Sequence, residues 1–366
     1  MSDEATSRQT PGDGNILPPE HWAEIAQKEP GNTDADSIVD ADNNSSTASV
    51  TSSILEYRTI HGRTYNSEQG NAQYWGSNDA PQRELMDVTH HILTLGLGNK
   101  LHLAPLEKSK VHQAIDIGCG TGMDSRILHV SDDSNYRIWA IDFADDYPDA
   151  EITGTDISPI QPSWVPPNLR FEIEDCTREW TFKSDSTDYI HMRWLMGSIR
   201  DWDFLSSEAF RVCKPGGWVE SHEASSNIDS DDNTVDGNSA MGQWGKLFIE
   251  GSKKIGTSFT VVEDGTQRKA LEKAGFINIK EFDFKNPIGG WSSDPIEKEM
   301  GPYTKYGLET DTEGFVLFMA HTLGWPRDGI QLYVDQFRRE LRSEKHHGYF
   351  KQKVVWGQKP ETSAPN

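Results

Sequence analysis

The stretch AIDIGCGTG, Ala114 to Gly122, constrains this chain more than any other. An apolar strand runs straight into glycines at alternate positions, Gly118, Gly120 and Gly122. Glycine here lets the backbone take positive φ and pass close to a ligand. A strand feeding such a turn opens a doubly wound α/β sheet, which binds ligands beyond the carboxyl ends of its strands. The chain keeps that rhythm. IWAIDFADDY reads as a helix and AEITGTDIS as the second strand. LRFEIEDC and TDYIHMRW follow as strands, FLSSEAFRVC as an amphipathic helix closed by KPGG, and GWVESHE as the fifth strand. Such alternation predicts a parallel sheet with helices on both faces. Helices AMGQWGKLFIEGSKK and GTQRKALEKAGF, strand INIKEFDFKNP, two helical stretches over 294–324 and 327–343, and strand GYFKQKVVWGQKP complete the pattern. Upstream, Leu85, Val88, Ile92 and Leu95 share one helical face, with Asn78 or Asp79 as cap and Pro81 in the first turn.

The glycine spacing is GxGxG. It differs from the dinucleotide GxGxxG and from the phosphate-binding GxxxxGK[ST], so the ligand need not carry phosphates. Asp116, two residues before the first glycine, would repel a pyrophosphate but suits a cationic ligand such as S-adenosylmethionine. Asp156 ends the second strand, where an acid accepts hydrogen bonds from ribose hydroxyls. Ile157 follows it and could face an adenine. Asp175 ends the third strand, within reach of an adenine amino group.

Methyl transfer from a sulfonium asks mainly for alignment and desolvation. A base is needed only where the nucleophile must lose a proton. His191, Arg193, His222 and Glu223 sit where the fourth and fifth strands end, and His191, His222 and Glu223 are the candidate catalytic groups. His191 and Arg193 alternate along their strand and so share a face. Trp194, Trp244 and Trp291 are candidates to line an acceptor pocket. The adjacent pairs His90–His91 and His346–His347 cannot face one another on a helix, and no acid completes a ligand set, so no metal is expected.

AIDIGCGTG, IWAIDFADDYPDAEITGTDISPIQPSWVPPNLRFEIEDC, DYIHMRWLMGSIRDW and FRVCKPGGWVESHE closely resemble the LaeA-like fungal methyltransferases, class I S-adenosylmethionine-dependent enzymes linked to secondary metabolism. The resemblance runs from about Ile54 to Pro360 and includes ILEYRTIHGRTYN, FDFKNPIGGW and HHGYFKQKVVWG. It implies a Rossmann-like sheet of seven strands with the last antiparallel, and S-adenosyl-L-methionine as cofactor. It implies cofactor contacts at Asp116, Gly118, Gly120, Asp156 and Asp175, with Cys119, Gly122 and Cys176 in the same turns, and Tyr65 closing over them. Two function classes follow. One is an enzyme that methylates a small metabolite at oxygen or nitrogen. The other is a regulatory subunit acting through velvet-type transcription regulators. A dehydrogenase on a similar sheet is a more distant alternative.

One segment breaks the pattern. The ribose acid lies about 20 residues past the glycine turn in such sheets, yet Gly122 and Asp156 are 34 positions apart. Without the 15 residues Met123–Arg137 the gap is 19 and the helix follows the turn directly. That segment is read as an insertion, expected to weaken cofactor binding. Residues 1–53 hold ten acidic residues against two basic ones and are read as a disordered acidic tail in which only HWAEIAQKE could form a transient helix, 54–360 as the methyltransferase domain, and 287–345 as a helical lid. A net charge of -23 disfavours direct nucleic-acid binding, which needs a basic face. Cys119, Cys176 and Cys213 form no CxxC pair and are expected to be reduced. With no apolar run of 18 residues and no targeting leader, a cytoplasmic or nuclear location is expected.

Overall fold

The computed structural model describes residues 15–28, 57–66, 74–120, 138–162 and 165–361. Helix α1 (Pro19–Lys28) and the hairpin β1 (Arg58–Ile60)–β2 (Arg63–Tyr65) precede helix α2 (Ala80–Gly96). The main sheet begins with β3 (Gln113–Ile117), followed by α3 (Trp139–Asp146), β4 (Glu151–Asp156), β5 (Leu169–Ile173) and β6 (Thr187–Arg193). Next come α4 (Trp202–Val212), β7 (Cys213–Asp229), α5 (Ala240–Ile255), α6 (Thr266–Ala274) and β8 (Ile277–Pro287). Helices α7 (Pro295–Thr310), α8 (Thr312–Thr322) and α9 (Arg327–Arg342) lead to β9 (Tyr349–Gln358).

The seven-stranded sheet has the order β5-β4-β3-β6-β7-β9-β8. Strands β3 to β7 pair in parallel, and the last strand, β9, runs antiparallel between β7 and β8. This is the class I methyltransferase arrangement that the family resemblance implies. The order reverses between β3 and β6, so a crevice opens at the carboxyl ends of those strands. On one face Trp139 and Phe143 of α3 pack against Ala114, Ile152 and Tyr189. On the other, Ile115, Ile190 and Val219 join the larger core with α4, α5, α8 and α9.

Helix α2 forms where its apolar face predicts. Asp79 is its N-cap, accepting from the Gln82 amide, and Leu85, Val88, Ile92 and Leu95 are all buried. Three expectations need correction. The expected disordered tail is ordered over 15–28: α1 packs on α9, Trp22 is 1% exposed against Tyr333, and the Leu17 amide donates to Gln243. One buried indole and a groove on a distant helix provide the apolar burial that local composition lacks. The single helical stretch expected over 294–324 is broken at Asp311, which caps α8 at the Gly314 amide. And β7 starts at Cys213 and runs to Asp229, through residues read as a turn and part of a loop, because β9 pairs along it as far as Asp229–Tyr349. Residues 1–14 and 29–53 of the expected tail lie outside the described residues, as do Gly122 and the expected insertion Met123–Arg137.

Candidate active site

The glycine turn is held by β4. The Gly118 and Cys119 amides donate to the Thr155 carbonyl at 2.8 and 2.9 Å, and the Gly120 amide donates to Asp156 Oδ2 at 3.0 Å. Gly118 and Gly120 have φ of 69° and 73°. A Cβ on Gly118 would lie 2.5 Å from the Leu195 side chain, so glycine is required there for backbone and for space. Asp156 also accepts from the Ser158 amide at 2.9 Å. Burial raises its pKa and these two amides pull it back.

A cleft opens over this turn. Gly118, Cys119, Gly120, Asp156, Ile157 and Cys176 line it, as do Arg193, Trp194 and Ile138. Gly120 and Ile138 flank residues 121–137, so α3 starts beside the cleft. Six expected cofactor residues thus meet in one place. Asp175 does not line the cleft. Its carboxylate turns back onto the Thr177 amide and hydroxyl and pairs with Arg178 at 3.2 Å. Tyr65 is buried against Phe318 and also stands off the cleft, although its neighbour Asn66 donates to Ser158 beside Asp156.

Asp116 lies beneath the turn, 3% exposed, with Oδ1 2.7 Å from His191 Nδ1. It faces His191 and not the cleft, which corrects the expectation of direct contact with a cationic ligand. The His191 ring is stacked on Trp139 at 3.7 Å. The next polar row reaches the cleft. Arg193 Nη1 donates to His90 Nδ1 at 3.1 Å, and His90 Nε2 lies 2.9 Å from Asp142 Oδ2. Because Arg193 can only donate, His90 carries its proton on Nε2 and donates to Asp142. Burial lowers Arg193 to about 10, still charged at neutral pH.

None of His191, His222 and Glu223 lines the cleft. Their buried positions in the sheet correct the expectation that they meet the acceptor. Glu223 accepts from the Leu195 and Met196 amides at 3.2 and 2.9 Å, fixing the turn after β6. His222 packs edge-on to Phe284. Strand alternation does put His191 and Arg193 on one face. What covers that face is α3, a contact no local pattern encodes.

A second chamber adjoins the first. Trp75, Leu85, Thr89, Trp194 and Phe315 line both. Trp244 lines the second chamber, whereas Trp291 lines neither and stacks on His347. Asn286, Thr304 and Gln352 are among the polar side chains of the second chamber, and among the described residues no acidic, basic or imidazole side chain lines it. Trp194 divides the chambers at a φ of 56°, a conformation that costs a non-glycine residue energy and is common at functional sites. Arg63 ties the covering elements together. It pairs with Asp79, the cap of α2, and with Asp311, the cap of α8, at 2.7 Å on both Asp311 oxygens. Trp75, Phe315 and Gln352, which line the chambers, and Arg63, which braces their cover, were missed by sequence reasoning. Only the GRTYN segment carried a signal, and it pointed to Tyr65, two residues from Arg63.

The buried titratable groups set a pH dependence. Burial holds His90, His191 and His222 below the usual range, so they are neutral in the fold. The unfolded chain binds their protons below about pH 6.5, so this share of stability grows as pH rises to that value. Burial raises Asp116 and Glu220 to about 7 and Glu223 to about 8. Their share is complete below the unfolded carboxyl range near 4.3 and is lost as pH rises through 7 to 8. The two sets oppose each other below pH 6.5, and above it only the carboxyl loss continues. Unfolding free energy is therefore expected to fall between pH 6.5 and 8, by about 2 kcal/mol for Glu223. Urea titrations at several pH values should find this limb shallower in Glu223→Gln; equal slopes would contradict the assignment.

Residues 89–281 match a methyltransferase domain family. The chain is 33% identical over 321 residues to methyltransferase pytC of Aspergillus terreus, covering 87% of this chain and 93% of that protein. It is 32% identical over 278 residues to the secondary metabolism regulator LAE1 of Cochliobolus heterostrophus, covering 74% and 85%. A second LAE1, from Gibberella fujikuroi, is 30% identical over 308 residues, covering 82% and 91%.

Proposed function

We propose, since this chain belongs to the LaeA-like family of S-adenosylmethionine-dependent methyltransferases, that it transfers a methyl group to the oxygen or nitrogen of a small metabolite held in the apolar chamber. The observation that carries this reading is the pair of adjoining chambers that share Trp194, one over the glycine turn and one largely apolar. The residues of the first chamber fit S-adenosylmethionine. Gly118 and Gly120 bring positive-φ backbone to the cleft wall, and Asp156 offers a carboxylate at the end of β4. When bound, S-adenosylmethionine supplies an activated methyl on a good leaving group.

This chain's residues bind and orient. Asp156 would accept from the ribose hydroxyls, and Ile157 and Cys176 would cover the adenine side. Asp175 shapes the adenine end through its own turn. Arg193, anchored by His90 and Asp142, holds a positive charge at the wall for an anionic group. Asp116, His191, His222 and Glu223 act as positioning residues beneath the strands. Helices α7 to α9 serve as the lid, and Phe315 of α8 brings the lid to both chambers. Excluding water there raises the value of alignment.

The regulator names of two relatives favour a second reading, in which the chain acts as a regulator of secondary metabolism; the family resemblance supplies velvet-type regulatory proteins as its expected partners. Incubation with labelled S-adenosylmethionine and an extracted metabolite pool, beside an affinity pull-down, separates the two. A labelled small metabolite supports the first reading. A stable complex with velvet-type proteins and no labelled metabolite supports the second.

The segment 123–137 gives a further expected outcome. Amides of the first helical turn stabilise an anionic group near the cofactor, and an interruption before α3 separates the glycine turn from that helix in sequence. Calorimetric titration should find S-adenosylmethionine bound more tightly by a variant lacking residues 123–137. Equal affinities would count against the insertion reading.

A further inference from the structure

The second chamber contains polar groups that the fold leaves unanswered. Gln352 of β9 lines it, is 0% exposed, and has no hydrogen-bond partner for Nε2 or Oε1. Trp194 Nε1, in the shared wall, is also buried without a partner. The nearby His222 Nε2 lacks one too. The Gln352 amide lies close enough to His222 to oppose the lowering of its pKa but not in hydrogen-bonding geometry. Buried amides are nearly always paired, and an unpaired one destabilises the fold. Such a group persists where a ligand completes it.

The rest of the chamber defines the ligand's chemistry. Its walls are largely apolar, with the aromatic rings of Trp75, Trp244 and Phe315 among them, and among the described residues carry no charged or imidazole side chain. A charged acceptor would therefore be desolvated there without a counter-ion. A primary amide presents one donor and one acceptor side by side, which matches a neutral group with the complementary pair, such as a lactam edge.

We propose that Gln352 is the specificity-determining residue of the acceptor chamber, and that it selects a neutral, largely aromatic acceptor bearing adjacent C=O and N–H groups. This rests on the reading of the second chamber as the acceptor site. Gln352 faces the acceptor and holds it, while the methyl donor is held by other residues.

The test compares wild type with Gln352→Met in the full chain. Each is titrated with S-adenosylmethionine and, with and without it, with quinolin-2(1H)-one, naphthalene and 2-naphthoate. Wild type is expected to bind the lactam at least about tenfold more tightly than either other probe. Gln352→Met should lose that preference, keep its affinity for naphthalene, and bind S-adenosylmethionine as wild type does. Its midpoint of thermal unfolding without ligand should equal or exceed that of wild type, since unpaired polar atoms have been removed. A lower midpoint would mean that Gln352 is paired structurally, and would overturn the proposal. So would wild type without preference for the lactam, tighter binding of 2-naphthoate, or a preference surviving in the variant. Failure of wild type to bind S-adenosylmethionine would instead remove the methyltransferase reading of this chain, leaving the probe comparison to be judged separately.

Discussion

Replacing Asp156 with alanine is expected to weaken S-adenosylmethionine binding roughly 100-fold or more and to reduce methyl transfer accordingly. Two losses combine. The first is the acceptor at the end of β4, where such sheets hold the ribose. The second is internal: Asp156 accepts from the Gly120 and Ser158 amides at 3.0 and 2.9 Å, so one carboxylate holds the two turns on either side of the cleft. Hydrogen bonds to a charged group contribute about 1.5–3 kcal/mol each. Losing two or more such contacts gives about 3 kcal/mol or more, and each 1.4 kcal/mol is tenfold in affinity. Asparagine retains one oxygen and should recover part of the loss. Calorimetry on both variants, with near-ultraviolet circular dichroism to establish native packing, checks the result. A folded alanine variant with near-normal affinity would remove Asp156 from the binding site.

The largest effect on stability is expected at Arg63. Its guanidinium lies between Asp79 and Asp311 and also donates to Ser77 at 2.8 Å. The Asp311 side chain is only 5% exposed. Arg63→Ala would leave two acids close together without their cation, and breaking a buried pair from one side costs about 3–5 kcal/mol. Asp79 is 22% exposed, so solvent relieves part of this and a loss of about 3 kcal/mol is expected. Both acids cap helices, so the disturbance spreads to the starts of α2 and α8. Lysine should recover little, because the contact uses the planar fork on both oxygens of Asp311. Urea unfolding with an unchanged slope would measure the change. A loss below 1 kcal/mol would mean that the cover over the chambers does not depend on this clamp.

Asp79 and Asp311 also mark where sequence reading reaches and where it stops. The cap of α2 was legible to within one residue, Asn78 or Asp79, because capping is local: a short polar side chain, a proline and an apolar periodicity lie close together. The break at Asp311 was not, because its partner Arg63 is 248 residues away. The glycine turn and Asp156 were legible for the same local reason, through a strand, a turn and a spacing. The second chamber was hidden. Trp194 and Trp244 were candidates for its wall, but Trp75, Phe315 and Gln352 come from three further stretches, and each of these alone reads as core. The strand ends at His191, His222 and Glu223 were placed correctly along the sheet. Whether a strand end opens on a cleft or lies under a helix depends on the cover, and here Trp139 closes over His191.

The position of β9 has a consequence for how the molecule is made. β9 is inserted between β7 and β8, and neither of those strands pairs with the other. As a nascent chain emerges, the parallel strands β3 to β7 can assemble in order, but β8 has no neighbour until Tyr349–Gln358 arrives. Until then β7 offers an open edge, the kind of surface that recruits unwanted strands during synthesis. Gln352 arrives with the same strand. The chamber therefore acquires this buried amide only in the step that seals the sheet, so a chain stalled before β9 can have its glycine turn in place while the wall of the second chamber is still incomplete.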